Sequence, residues 1–144
     1  MKKEKIVYTY GVFDLFHGGH IELLKEAKEL GDKLVVGIFS DEVAESFKRK
    51  PIINLQERMK IVANSRYVDE VVSQDEFLPD KNLLKIKPDI LAKGEGAGWV
   101  EGKEIPGDKT MKMLGGRIVM LKYHPGISTS QIIKICQERR NIIC

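Results

Sequence analysis

His17-Gly18-Gly19-His20 places two imidazoles around two glycines, just where a run of β-forming residues gives way to a helical pattern. Glycine is poor helix material, so the position asks for bare backbone. If a helix opens near Gly18, the amide groups of its first turn have no partner inside the helix. Such groups attract anions, and glycine lets a phosphate come close to the backbone. His17 and His20 are three residues apart and can share one side of that turn. From there they can donate hydrogen bonds to phosphate oxygens as charge builds during displacement at phosphorus. That chemistry is mainly positioning and electrostatic stabilisation, often with a metal. For an arbitrary pattern of this kind, a capped helix with packed or wetted histidines is the commoner reading. The strand-to-helix junction shifts the balance to function.

A second segment has the same character. Gly126-Ile127-Ser128-Thr129-Ser130-Gln131 lies between the last expected strand and the last expected helix. Ser128 with Gln131 reads as a capping box, yet hydroxyls and free amides at a helix start also make a phosphate site. Two helix starts of this kind could grip the two ends of a polyphosphate. Lys48-Arg49-Lys50 could add charge from the side, although such a run taken alone is more often a solvated face.

The elements that must position these groups alternate along the chain. Lys5 to Tyr10 reads as a strand, and Ile21, Leu24, Ala27 and Leu30 as one face of a helix closed by Gly31. Leu34 to Phe39 is an almost unbroken apolar run, as expected of a strand covered on both faces. Further helices are expected from Asn54 through Val62, from Leu78 to Ile86 and from Ser128 to about Arg139. Further strands are expected at Val68 to Val72, Pro88 to Ala92 and Arg117 to Leu121. The alternation implies right-handed crossovers and a parallel α/β sheet with helices on both faces. Ligands of such sheets bind at the carboxyl ends of the strands, where the strand order reverses. The stretch from Lys93 to Pro106, with Gly94, Gly96, Gly98 and Gly102, is either a lid or a connector.

Composition narrows the classes. A chain of 144 residues suits a single domain spanning residues 1–144. A net charge of +3 is too small to argue for a nucleic-acid partner. No uncharged apolar run approaches a membrane span, and MKKEK is followed too soon by Asp14 and His17 to start a signal peptide. Cys136 and Cys144 have neither CxxC nor zinc spacing, and no protein-held metal site is expected. These features point to a reducing, cytoplasmic setting.

Taken together, YGVFDLFHGGHIELLKEAKELGDKLVVGIFSDE, ERMKIVANSRYVDEVV and PGISTSQIIKI resemble the cytidylyltransferase-like nucleotidyltransferases over nearly the whole chain. The resemblance implies a Rossmann-like sheet, often dimeric. It implies attack by a small phosphate monoester on the α-phosphorus of a nucleoside triphosphate, with Mg²⁺, releasing pyrophosphate. Carried over by position, His17 and His20 stabilise the pentacoordinate phosphorus. Val12, Phe13, Gly19 and Gly126 border the nucleotide, and Lys93 and Gly94 line its pocket together with Glu95. Ser128, Thr129 and Ser130 hold the outer phosphates. Lys48, Arg49 and Arg66 contact phosphate or substrate.

Two subfamilies compete. The first half and RYVDEVV look like glycerol-3-phosphate and ethanolamine-phosphate cytidylyltransferases, but Tyr123-His124-Pro125 stands where those carry Arg-Thr-Glu. PDILAKGEGAGWVEGKEIPG and LGGRIVML look like the adenylyltransferase module that makes ADP-heptose for lipopolysaccharide core, although no aspartate follows Lys93-Gly94. The balance favours ATP and a sugar phosphate. Trp99 could stack on a base or anchor its loop. A class I aminoacyl-tRNA synthetase fragment is disfavoured, because there is no room for a tRNA-reading domain and no KMSKS-like loop. A non-catalytic nucleotide-binding module would need only the phosphate cradle and leaves both histidines unexplained.

Overall fold

The computed structural model describes residues 3–94, 103–122 and 126–143. Five strands form one wholly parallel sheet: β1 (Ile6–Gly11), β2 (Lys33–Phe39), β3 (Glu70–Gln74), β4 (Ile90–Gly94) and β5 (Arg117–Leu121). The helices are α1 (Gly18–Glu29), α2 (Asp41–Phe47), α3 (Leu55–Ala63), α4 (Asp80–Ile86), α5 (Asp108–Met113) and α6 (Thr129–Ile143). The strand order is β3-β2-β1-β4-β5, so the order reverses between β1 and β4. At such a reversal the loops leave in opposite directions and open a crevice above the carboxyl ends of the two strands.

Alternation along the strands sends side chains to two cores. Val7, Leu34, Val36, Ile38, Ile90 and Ala92 join Leu24 and Ala27 of α1 and Val62 of α3. Tyr8, Tyr10, Val35, Phe39 and Leu91 join Ala44 of α2, Leu83 of α4 and Met111 of α5. The Tyr8 ring crosses Gly37 on the neighbouring strand, where a Cβ would fall 1.9 Å from the tyrosine oxygen. That oxygen donates to Gln74 Oε1 at 2.6 Å and accepts from Asn82 Nδ2 at 2.9 Å, satisfying a hydroxyl that could not be buried alone.

Most expected elements are present, with shifted ends. β3 and β4 begin about two residues later than the apolar runs that announce them, because the preceding aspartates have another task. Asp69 accepts the Leu34 amide at 2.8 Å, and Asp89 accepts the Ile6 amide at 2.9 Å. Asp32 does the same for the Lys5 amide at 2.8 Å. Each carboxylate thus satisfies an amide at the amino end of an adjoining strand, and pairing starts after it. Two helices go beyond the sequence expectation. α2 is capped by Ser40, whose side chain accepts from the Val43 amide, and α5 has six residues, too few for a helical period to register. No helix among the described residues is long and apolar enough to cross a membrane.

Candidate active site

The reversal between β1 and β4 opens a cleft of about 430 Å³. His20, Lys48, Arg49, Lys93 and Thr129 meet in its walls, with Tyr10, Phe39, Phe47 and Phe77. A depression of about 480 Å³ at the β3 edge lies between Glu70, Gln74, Lys81 and Asn82 and contains neither histidine. Volume alone therefore does not locate the chemistry; the convergence of polar groups at the strand ends does.

His17 is the N-cap of α1, and its Nδ1 accepts from the Gly19 amide at 3.0 Å. His20 reaches back, and its Nδ1 accepts from the His17 amide at 3.2 Å. Two histidines thus complete a reciprocal capping box, a role usually filled by a hydroxyl and a carboxyl. Because each Nδ1 offers its lone pair, each imidazole is neutral with its proton on Nε2. The rings stack with centroids 3.8 Å apart, and His20 packs on Phe13 and Phe16. Burial, then the neighbouring His17 and Lys48, push the His20 pKa down to about 3. Burial lowers that of His17 as well. Gly19 permits the stack: a Cβ there would lie 2.9 Å from His17 Cε1 and 3.3 Å from the Ile127 carbonyl oxygen. The same contact brings the segment before α6 against the first turn of α1.

Two buried charged residues hold the surrounding loops. Asp14, 4% exposed, accepts from the amides of Ile52 at 2.8 Å and Ile53 at 2.9 Å, and from Leu15 at 3.1 Å. Its flanking residues Phe13 and Leu15 both take positive φ, 54° and 50°, an uncommon conformation for bulky side chains. Arg58, 0% exposed, donates to the carbonyls of Val12 at 2.8 Å, Phe39 at 2.9 Å and Ile53 at 2.8 Å. Its remaining nitrogen meets Asp41 at 2.6 Å. One guanidinium therefore ties the ends of β1 and β2 to the loop that carries Lys48 and Arg49. Sequence reasoning passed over both residues. The available signals were an acid inside an apolar turn and a charge on the apolar stripe of a helix.

Of the hydroxyls before and within α6, that of Thr129 donates to the protein, whereas those of Ser128 and Ser130 accept from it. Ser128 Oγ accepts from the Gln131 amide at 3.1 Å, as the capping reading expected. Thr129 Oγ1 donates to the Asp14 carbonyl at 2.9 Å, and Arg49 Nη1 approaches Ser130 Oγ at 3.4 Å. Gly126 takes φ 140°, a backbone state that side chains rarely adopt. Lys48 is partly buried, and its pKa is lowered by that burial and by Arg49.

Val12 and Phe13 border the cleft. Lys93 and Gly94 end β4 rather than opening a loop, which corrects the expected start of the glycine-rich stretch. Arg66 is not brought to this place: it lies in the turn between α3 and β3, at the amino end of the sheet. Trp99, Glu95, Gly96, Gly98, Gly102 and Tyr123-His124-Pro125 fall outside the described residues.

A family model described as cytidylyltransferase-like matches residues 8–135. The bifunctional protein HldE of Escherichia coli O139:H28 is 39% identical over 137 residues, covering 94% of this chain and 28% of its own length. HldE of Shigella boydii serotype 18 gives the same figures of 39%, 94% and 28%. The chain thus spans 28% of the length of these curated relatives. The lipopolysaccharide core biosynthesis protein from Thermoplasma volcanium GSS1 matches with a TM-score of 0.73 at 29% identity, over 87% of this chain and 100% of that one. The pantoate-beta-alanine ligase of Francisella tularensis, with a TM-score of 0.56 and 20% identity over 99% of this chain and 72% of its own, shares the fold alone.

Proposed function

The chain belongs to the cytidylyltransferase-like family of nucleotidyltransferases, and from that premise we propose that it transfers a nucleoside monophosphate from ATP to a sugar or polyol phosphate, as in ADP-heptose synthesis. A phosphate oxygen of the acceptor attacks the α-phosphorus, the bond to the bridging β-phosphate oxygen breaks, and pyrophosphate leaves. The observation that carries this reading is the stacked histidine pair at the start of α1, with both Nδ1 atoms committed to backbone amides. Each ring is left with one fixed Nε2–H donor for the oxygens of the phosphorus under attack. Donors held in this way need no reorganisation as charge develops, and losing one costs about 10²- to 10³-fold in kcat.

The leaving pyrophosphate is assigned to the start of α6 and to Lys48 and Arg49. Since the Thr129 hydroxyl already donates its proton to the Asp14 carbonyl, the holding falls to backbone amides and to the Ser128 and Ser130 hydroxyls, which only accept within the protein and keep a proton to donate. Mg²⁺ is expected to arrive with the triphosphate. Among the described residues no three histidine, cysteine, aspartate or glutamate side chains are grouped to hold a metal, and Asp14 is already engaged by three amides. That donor set suits an ion carried on phosphates rather than a resident one. The likeness of PDILAKGEGAGWVEGKEIPG and LGGRIVML to the ADP-heptose module favours ATP and a heptose phosphate, and the likeness to a lipopolysaccharide core biosynthesis protein agrees with it. The proposal extends to a cytoplasmic homodimer, which light scattering and cell fractionation read directly.

The test mixes the protein with each nucleoside triphosphate, Mg²⁺ and a panel of sugar and polyol phosphates, and follows pyrophosphate. Release with ATP and a heptose phosphate is expected, lowered at least ~100-fold by His17→Ala or His20→Ala. Release with CTP and glycerol 3-phosphate instead would move the chain to the other subfamily. Tight nucleotide binding without release from any acceptor would make it a binding module.

A further inference from the structure

Lys93 is 4% exposed, yet among the described residues its ammonium has neither an ion pair nor a hydrogen bond. It sits 3.9 Å from the centre of the Tyr10 ring, in the wall of the cleft. Burying a charge without a partner is costly, and a face-on ring offsets only part of that cost. Burial holds the pKa of this amine down to about 8. A cation kept in this way at the mouth of a cleft is built to meet an anion.

Which anion follows from the two sides of the sheet. His20 packs on Phe13, which belongs to the core beneath α1, and His17 stacks on His20. Arg49 meets Ser130 of α6. Lys93 follows Leu91 on the opposite face, with Tyr10 and Phe39. There a wall of rings continues outward: Phe39 meets Phe47 at 5.1 Å and Phe77 at 6.3 Å, and the last two are each 41% exposed. The attacking and leaving oxygens of a displacement at phosphorus lie roughly in line. With the pyrophosphate assigned to the α6 side, the nucleophile approaches from the other. Of the cations lining the cleft, Arg49 meets Ser130 on the α6 side, whereas Lys93 stands over the Tyr10 ring on the other.

We propose that Lys93 and the adjoining rings form the acceptor half of the cleft: the ammonium holds the acceptor's phosphate monoester, and Phe39, Phe47 and Phe77 carry its carbon skeleton. This moves Lys93 from the nucleotide to the acceptor, and it rests on the nucleotidyl-transfer reading. The rings present faces and few polar partners, which suits an acceptor with at least one apolar face.

Lys93→Met keeps the shape and removes the charge. The acceptor KM is expected to rise about 10- to 100-fold, the range for losing a hydrogen bond to a charged group. The affinity for the non-hydrolysable α,β-methylene triphosphate, measured by calorimetry, should stay within about threefold. The melting temperature should hold or rise, since a buried charge with no ion pair among the described residues is gone. Phe77→Ala should likewise raise the acceptor KM and spare the nucleotide. An unchanged acceptor KM in Lys93→Met, or an equal loss of nucleotide affinity in either variant, overturns the assignment. If the wild-type protein transfers to no acceptor, the reaction reading falls, and methyl phosphate titrated into the nucleotide-analogue complex still decides the subsite. Binding that Lys93→Met abolishes supports it. Equal binding by both proteins, or none by either, refutes it.

Discussion

Replacing Gly19 by alanine perturbs the histidine pair without substituting either histidine. The added methyl would lie 2.9 Å from His17 Cε1, 3.1 Å from its Nδ1 and 3.3 Å from the Ile127 carbonyl oxygen. Carbon contacts settle at about 3.5–4.0 Å, so the ring must retreat by roughly 0.6–1 Å. It cannot do so and keep the 3.0 Å bond from the Gly19 amide. A misplacement of about 1 Å in a catalytic group costs on the order of 10²-fold. Stability should barely change: the lost cap costs about 1 kcal/mol, and alanine regains up to about 1 kcal/mol over glycine in a helix. Gly18→Ala is the control, since a Cβ there meets nothing within 4 Å. The assay is pyrophosphate release under saturating substrates, beside a thermal melt of each variant. Gly19→Ala should lose about 100-fold in kcat at a nearly unchanged melting temperature, and Gly18→Ala should stay within a few-fold of the parent. Comparable activity in the two variants would refute the reasoning that the stacked geometry of His17 matters.

Other expectations follow from the same contacts. The His20 pKa is about 3 in the folded protein and near 6.5 when unfolded, so the unfolded chain takes up a proton that the native state resists. Its contribution to stability is full above pH 6.5 and falls away as the pH drops toward about 3. Urea midpoints measured from pH 7.5 to 4.5 should show this, with a shallower slope in His20→Gln. Arg58→Met strands Asp41 and three carbonyls and should cost about 3–5 kcal/mol, lowering the melting temperature by on the order of 10 °C. Thr129→Val loses the bond to the Asp14 carbonyl and should cost about 1 kcal/mol. If backbone amides hold the phosphates, it should leave nucleotide affinity within about threefold, as calorimetry can check.

The sheet was legible because its buried strands are apolar runs and its helices keep a regular stripe. The shifted starts of β3 and β4 show what that signal omits: Asp69 and Asp89 look like strand edges but serve a neighbouring strand. The short α2 and α5 offer too few turns for a period, although Ser40 before two acids is a start signal that capping logic alone could have used. At the site, the glycine–histidine pattern marks the capped start of α1 from local spacing. Asp14, Arg58 and the ring wall do not emerge that way, because their meaning lies in contacts made across 38, 46 or more positions. Arg66 illustrates the converse: a basic residue in a recognisable segment, carried by the fold to the far end of the sheet.

The strand order also dictates when the site can come into being. The Ile6 amide finds Asp89 across 83 positions, and the Asp14 carbonyl finds Thr129 across 115. Pairings so distant along a chain must first close large loops, and folds rich in them acquire their final shape slowly. During synthesis the histidine turn leaves the ribosome before the strand and helix that face it have been made. Grip on a nucleotide should therefore arrive near the end of folding and report on its completion.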